Sequence, residues 1–232
     1  MRSLFIDITH VFVPKLCLGC RCILPTSLSQ LCLECQGKLS LTHYEKFPDN
    51  PLLRLLNQRV GIEEANALCF FEKEGLMQKL IHLLKYKGQY SLGVFFGKIL
   101  AERLTIHKRS DYTLVVPIPL YKKKKRIRGY NQVQGFAKAL SQSLAISYND
   151  TLLIRHKSTK TLVRMTQTQR WTQVRDAFQI RNPGALLGQH VLLVDDVVTT
   201  GATLSAAVAC LSKLEGIRVS VAAIAFAQPP LP

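Results

Sequence analysis

Thirty-one lysines and arginines against fifteen aspartates and glutamates give this 232-residue chain a formal net charge of +16, while 47% of its residues are hydrophobic. That balance describes a globular chain long enough for one large domain, or one domain plus a small appendage. It excludes a helical membrane protein, because no apolar run approaches the ~18 residues a spanning helix requires. The first residues lack the basic region, apolar core and small-residue cleavage site of a secretory leader, so a cytoplasmic location with reduced thiols is expected.

In chain order, Leu4, Phe5, Ile8, Val11 and Phe12 recur at helical spacing and end at Pro14, predicting a short amphipathic helix. Five of the seven cysteines follow within nineteen residues, as Cys17-Leu-Gly-Cys20-Arg-Cys22 and Cys32-Leu-Glu-Cys35. Two Cys-x-x-Cys pairs in a reduced chain read as a tetrahedral Zn²⁺ site with Cys17, Cys20, Cys32 and Cys35 as ligands. Cys22 is spare, able in principle to replace Cys20. Such a knuckle is too small to bury a core, so the metal is expected to supply its folding energy. Cys69 and Cys210, both in apolar runs, are expected to be small core residues. Residues 41–60, with Pro48, Asp49, Asn50 and Pro51, read as a linker holding a short helix, and His43 as a solvated loop residue. The chain thus divides into a knuckle at 1–40, a linker at 41–60 and one domain at 61–232.

Within that domain the pattern predicts a strand at 65–71, helices at 75–87 and 92–107, a strand at 112–117 and a helix at 130–144. Alternation at these lengths argues for an α/β fold with a mostly parallel sheet flanked by helices. Between the second strand and its helix lies a basic run, Lys122, Lys123, Lys124, Lys125, Arg126, Ile127, Arg128, which reads as a loop at the carboxyl edge of the sheet and a place to meet pyrophosphate or nucleic acid. From residue 122 to 181, fourteen lysines and arginines face only Asp150 and Asp176, so most of the positive charge is concentrated there, which predicts a polyanionic partner. Trp171, in that segment, is either a core anchor or a base-stacking residue.

The most informative stretch follows. Val191-Leu-Leu-Val reads as a central strand covered on both faces. Asp195 and Asp196 stand at its carboxyl end, where open α/β sheets bind ligands. Thr199, Thr200, Gly201, Ala202 and Thr203 then form a small-residue turn opening a helix, whose backbone N–H groups can converge on an anion. A phosphate cradle beside two carboxylates suits a phosphorylated ribose, with its phosphate on the turn amides and its hydroxyls donating to the acids.

These thirteen residues resemble, without a gap, the PRPP-binding motif of type I phosphoribosyltransferases. Nearly end to end, the chain resembles the ComF family, phosphoribosyltransferase-like proteins with an N-terminal zinc knuckle that are associated with DNA uptake and utilisation. The resemblance rests on Phe12 and Pro14 leading into the cysteine pairs, on Leu84-Lys85-Tyr86-Lys87-Gly88, on Pro117-Ile-Pro119 through Arg128-Gly129-Tyr130-Asn131-Gln132, and on the PRPP-motif stretch. Gln173 stands where the family often has Asn. The resemblance implies a type I phosphoribosyltransferase-like fold with structural Zn²⁺, PRPP bound with Mg²⁺, a mobile hood over the site between 155 and 181, and single-stranded DNA and DNA-uptake proteins as partners, without membrane insertion. Three functional classes follow: a transferase in which Asp195 and Asp196 are the only catalytic candidates, a DNA-binding module that carries PRPP, or a PRPP-sensing regulator without chemistry.

Overall fold

The computed structural model describes residues 14–25, 27–28, 30–107, 111–156 and 177–228. The expected N-terminal helix and the segment 157–176, with Trp171 and Gln173, lie outside the described residues. A short helix α1 (Leu33–Gly37) closes the cysteine-rich segment, and α2 (Pro51–Asn57) precedes strand β1 (Ala65–Phe70). Then come α3 (Leu76–Tyr86), α4 (Tyr90–Ile106), β2 (Leu114–Pro117), α5 (Lys122–Arg128), α6 (Gln134–Leu144) and β3 (Ser147–Tyr148). A hairpin of β4 (Leu153–Arg155) and β5 (Phe178–Ile180) leads to β6 (His190–Val198), α7 (Ala202–Leu211) and β7 (Arg218–Phe226).

Five strands form one sheet in the order β1-β7-β6-β2-β3, every pair parallel. This is the α/β architecture that the alternating pattern predicts. β6 lies in the middle because its aliphatic run can be covered on both faces, and the two-residue alternation of a strand divides it between two cores. Leu192 and Val194 pack with Leu80, Leu84, Phe96, Leu100, Phe136 and Leu140 of α3, α4 and α6. Val191 and Leu193 pack on the opposite face with Leu52 and Leu56 of α2 and Leu204 and Val208 of α7. Each such leucine removed from water contributes roughly 1.5–3 kcal/mol. α4 and α6 approach so closely at Gly97 that an added Cβ would sit 2.6 Å from the Phe136 carbonyl oxygen.

Two local readings differ from the structure. The basic run expected as a loop is the helix α5, since lysine and arginine are good helix formers and no breaker intervenes before Gly129, whose φ is +76°. That glycine and Asn131, whose side-chain amide donates to the Ile118 carbonyl at 3.0 Å, turn the chain and delay the next helix to Gln134. Residues 41–60, read as a linker, are packed into the domain. Asn50 caps α2 by accepting from the Leu53 amide at 3.0 Å, its NH₂ donates to the Ala65 carbonyl at 2.8 Å, and Leu52 and Leu56 are fully buried.

A candidate sugar-phosphate site at the carboxyl edge

Register places the site. Pro117 at the end of β2 pairs with Val194, and Asp195 lies beside Ala223 of β7. The chain leaving β2 therefore runs past the carboxylates, with α5 beginning only four residues after Ile118. Strand alternation sends the acids to opposite faces of β6. Asp195, half-buried, lines a small cleft of about 50 Å³ together with Val197, Val198 and residues 199–204. Asp196, 4% exposed, turns toward α3. Its Oδ1 faces the Lys85 ammonium at 3.1 Å and accepts from the Val197 amide at 2.6 Å, while its Oδ2 accepts from Gln132 Nε2 at 2.8 Å.

Burial pushes the Asp195 carboxyl up to about 7, the neighbouring Asp196 charge adds to the rise, and the Asp196 amide, Lys85 and Arg155 oppose it. A strongly perturbed carboxylate in a cleft at a strand end is the electrostatic mark of a binding or catalytic group.

The turn after β6 is built as the sequence predicts. Gly201 takes φ +70° as the N-terminal cap of α7, a conformation that favours glycine. An added Cβ there would come within 2.8 Å of Leu56 Cδ2. α2 thus braces the turn from behind, and Arg59, just beyond α2, donates to the Thr200 carbonyl at 2.5 Å. Thr199 and Thr200 are exposed, and the first residues of α7, Ala202, Thr203 and Leu204, line the cleft, where the first amides of a helix lack partners within it.

A second, larger cavity of about 310 Å³ lies nearby, lined by residues that include Lys122, Tyr130, Asn131, Gln134, Asp150, Arg155 and Arg181. It joins the start of α5 to the β4–β5 hairpin. Lys122, Lys123, Lys124 and Arg126 are exposed along α5, and Arg128 sits with its guanidinium 5.1 Å over the Tyr86 ring.

The cysteine cluster forms at the other end of α3. The sulfurs of Cys17, Cys20, Cys22 and Cys32 all lie within 4.8 Å of one another, and Cys20 and Cys32 are 3.6 Å apart. A Zn²⁺ held by four thiolates at about 2.3 Å needs sulfurs about 3.8 Å apart, so these residues fit the ion. Backbone amides of Gly19 and Cys32 point at Cys17 Sγ, and that of Cys35 at Cys32 Sγ, the outer bonds that steady metal-bound thiolates. Cys22, which the spacing leaves spare, thus joins the mutual set. The expected fourth ligand, Cys35, is buried beside it, close enough that a Cβ on Gly19 would meet its sulfur at 2.6 Å. Cys69 and Cys210 are buried core residues, and burial pushes the Cys69 thiol up to about 12.

The structure therefore brings Asp195 and residues 199–203 into one cleft, with Asp196 on the opposite face of β6, the basic helix on the neighbouring strand end and the cysteines remote from both. Sequence reasoning assigned no role to Lys85, Gln132 or Arg59. Lys85 and Gln132 do stand in motif blocks, at a helix end and just past a basic run, and that placement was their only signal.

Comparison with known proteins agrees with this geometry. Residues 91–229, more than half of the chain, match the family model described as the phosphoribosyl transferase domain. The chain is 28% identical over 134 residues to the DNA utilization protein YhgH of Escherichia coli K12, covering 56% of this chain and 58% of that one. It is 29% identical over 140 residues to Competence protein F of Haemophilus influenzae, covering 58% and 61% of the two chains. Competence protein ComFC of Bacillus subtilis is 25% identical over 213 residues, covering 85% of this chain and 78% of its own. The match to the first two spans little more than half of each relative's own length. β1, which lies outside the matched residues, is nevertheless hydrogen-bonded to β7 as the edge strand of the sheet. With its parallel sheet, its acidic strand end and its cysteine cluster, the chain belongs to the phosphoribosyl transferase domain family and, within it, to the ComF family.

Proposed function

We propose that this protein binds PRPP at the carboxyl edge of β6, holds single-stranded DNA on the adjoining basic surface, and serves DNA uptake or utilisation in the cytoplasm. One observation supports the reading: a half-buried, charge-strained Asp195 shares a cleft with the turn 199–203, while the lysines of α5 stand on the next strand end. The turn amides suit the 5′-phosphate, the Asp195 carboxylate accepts from ribose hydroxyls, and α5 offers cations to a pyrophosphate or a nucleic-acid backbone. The relatives' names, DNA utilization protein and competence protein, support the nucleic-acid part.

Carboxylate and pyrophosphate oxygens are hard ligands that suit Mg²⁺, which would be held chiefly by the pyrophosphate and, when bound, neutralises its charge. Zn²⁺, held by the cysteine cluster, has a structural role because closed thiolate sites leave no position for chemistry. A second reading, transferase activity, is favoured by the 310 Å³ cavity beside the cleft, which has room for an acceptor. In that case a nucleophile attacks C1′ of the ribose and pyrophosphate departs, stabilised by α5 cations. Calorimetric titration with PRPP and Mg²⁺, followed by a screen for pyrophosphate release with candidate bases, separates the readings. Release marks an enzyme, binding without release marks a module or sensor, and absence of PRPP binding defeats the proposal.

A further inference from the structure

We propose that Lys85 and Gln132 are positioning residues for the carboxylate pair: they hold Asp196 in one orientation on its own face of β6 and leave Asp195 as the acid that meets the ligand. This rests on the reading of the cleft as a sugar-phosphate site and narrows the roles within it.

An ionised carboxylate has about four lone-pair sites. Three donors already reach Asp196: the Lys85 ammonium and the Val197 amide on one oxygen, and the Gln132 amide on the other. Gln132 is itself fixed, since its Oε1 accepts from Arg128 Nη1 at 2.7 Å, and Arg128 lies over Tyr86, the residue after Lys85. Both supports therefore return to the carboxyl end of α3. There Tyr130 donates its hydroxyl to the Leu84 carbonyl, tying the chain between α5 and α6 to the same helix. Asp196 and Gln132 are buried, and Lys85 is largely covered. A buried acid without such donors neutralises itself by taking up a proton.

The charged groups acting on the pair come from three elements: Lys85 of α3, Arg155 of β4 and the two acids of β6, with Arg128 of α5 acting through Gln132. Lys85 opposes protonation of Asp195. Without it Asp195 would hold its proton to higher pH, and a ligand that needs an ionised acceptor would be lost there.

The test uses the full chain with ¹³C-labelled aspartate carboxyl groups, titrated by NMR without ligand, and PRPP with Mg²⁺ by calorimetry at pH 6.5 and 8.5. Lys85→Met should raise the titration midpoint of the Asp195–Asp196 pair by about one unit or more. PRPP affinity should then fall by about tenfold or more at pH 6.5 and by less at pH 8.5. Lys85→Arg should restore both, which a merely space-filling role would not require. Gln132→Leu should also displace the carboxyl titration, and its affinity loss should persist at both pH values. A folded Lys85→Met protein whose carboxyl groups titrate as in the wild type overturns the proposal. If Lys85→Met does not fold, Gln132→Leu decides: a displaced titration supports the clamp and an unchanged one overturns it. Wild-type protein that binds no PRPP at either pH removes the ligand reading alone, and the ligand-free titration still judges the clamp.

Discussion

β6 carries ionisable groups at both ends, and the two ends treat them differently. At the amino end, His190 is 3% exposed, with Nδ1 2.6 Å from Asp111 Oδ1 and Nε2 2.9 Å from Ser220 Oγ. Asp111 also takes Arg218 at 2.5 Å, and Arg218 followed by His190 holds its carboxyl below the usual range. The composition is that of an Asp-His-Ser relay, but Ser220 is fully buried inside β7 and no substrate can reach it. At the carboxyl end, Asp195 lines an open cleft and is pushed up to about 7 by burial and by its neighbour. A buried polar group with its hydrogen bonds satisfied fastens strands together, whereas an incompletely compensated carboxyl beside a cleft waits for a ligand.

The largest expected effect lies at neither end and calibrates the comparison. If the cysteines hold Zn²⁺, the purified protein should carry about one ion per chain and Cys32→Ser should lose it. Because Cys17, Leu24, Leu31 and Cys35 pack into the same core as α3, the loss should also lower the unfolding temperature of the whole protein. Metal analysis and calorimetry check both, and Cys22→Ser against Cys35→Ser identifies the fourth ligand.

His190→Ala comes next. It strands the buried Ser220 hydroxyl and removes a donor to the Asp111 carboxylate, so stability should fall by about 1–3 kcal/mol in denaturant unfolding with PRPP affinity unchanged. A loss of affinity without a loss of stability would erase the distinction between the two ends.

Asp195→Asn should act the other way, and its sign follows from linkage. A carboxyl whose folded pKa is raised binds its proton more tightly in the native state, so the native state loses stability as pH rises through the folded value of about 7. The substitution removes that loss. It should raise the unfolding temperature at pH 8 and change it little at pH 5, while weakening PRPP binding, as expected where function maintains strain. Equal shifts at both pH values would show that burial of charge is not the cause.

The smallest effect concerns the basic surface. Single-stranded DNA affinity should fall with salt at a log–log slope of about −0.7 per phosphate neutralised. Changing Lys122, Lys123, Lys124 and Lys125 to Gln should flatten that slope by up to about three units if all four meet phosphates. A slope that ignores the four changes would remove α5 from the DNA surface, and a loss of PRPP instead would make it a pyrophosphate clamp.

Much of this was legible in the sequence because it depends on short-range pattern. The uninterrupted aliphatic run before Asp195 marked a central strand, and Thr-Thr-Gly-Ala-Thr marked the turn. What the pattern does not encode is which face each acid takes and what meets it there. Lys85 is 111 residues from Asp196 in the chain, and only the packing of α3 against β6 makes them an ion pair. Leu56 behind Gly201 is invisible for the same reason, which is why residues 41–60 read as a linker from their prolines and asparagine alone. α5 misled differently, because a run of like charge suggests an extended loop while helix propensity favours the opposite. Among the described residues, no helix is long and apolar enough to cross a membrane, in keeping with the apolar runs of the sequence.

The central claim, that the carboxyl edge of β6 is a PRPP site built on its two acids, is tested most directly by calorimetric titration of wild type and the Asp195→Asn, Asp196→Asn double mutant with PRPP and Mg²⁺ at pH 8. Wild type should bind saturably, and the double mutant, folded by circular dichroism, should lose at least the charge-assisted acceptance by Asp195, about 1.5–3 kcal/mol or roughly tenfold or more in affinity. A folded double mutant that binds PRPP as tightly as the wild type would contradict the account.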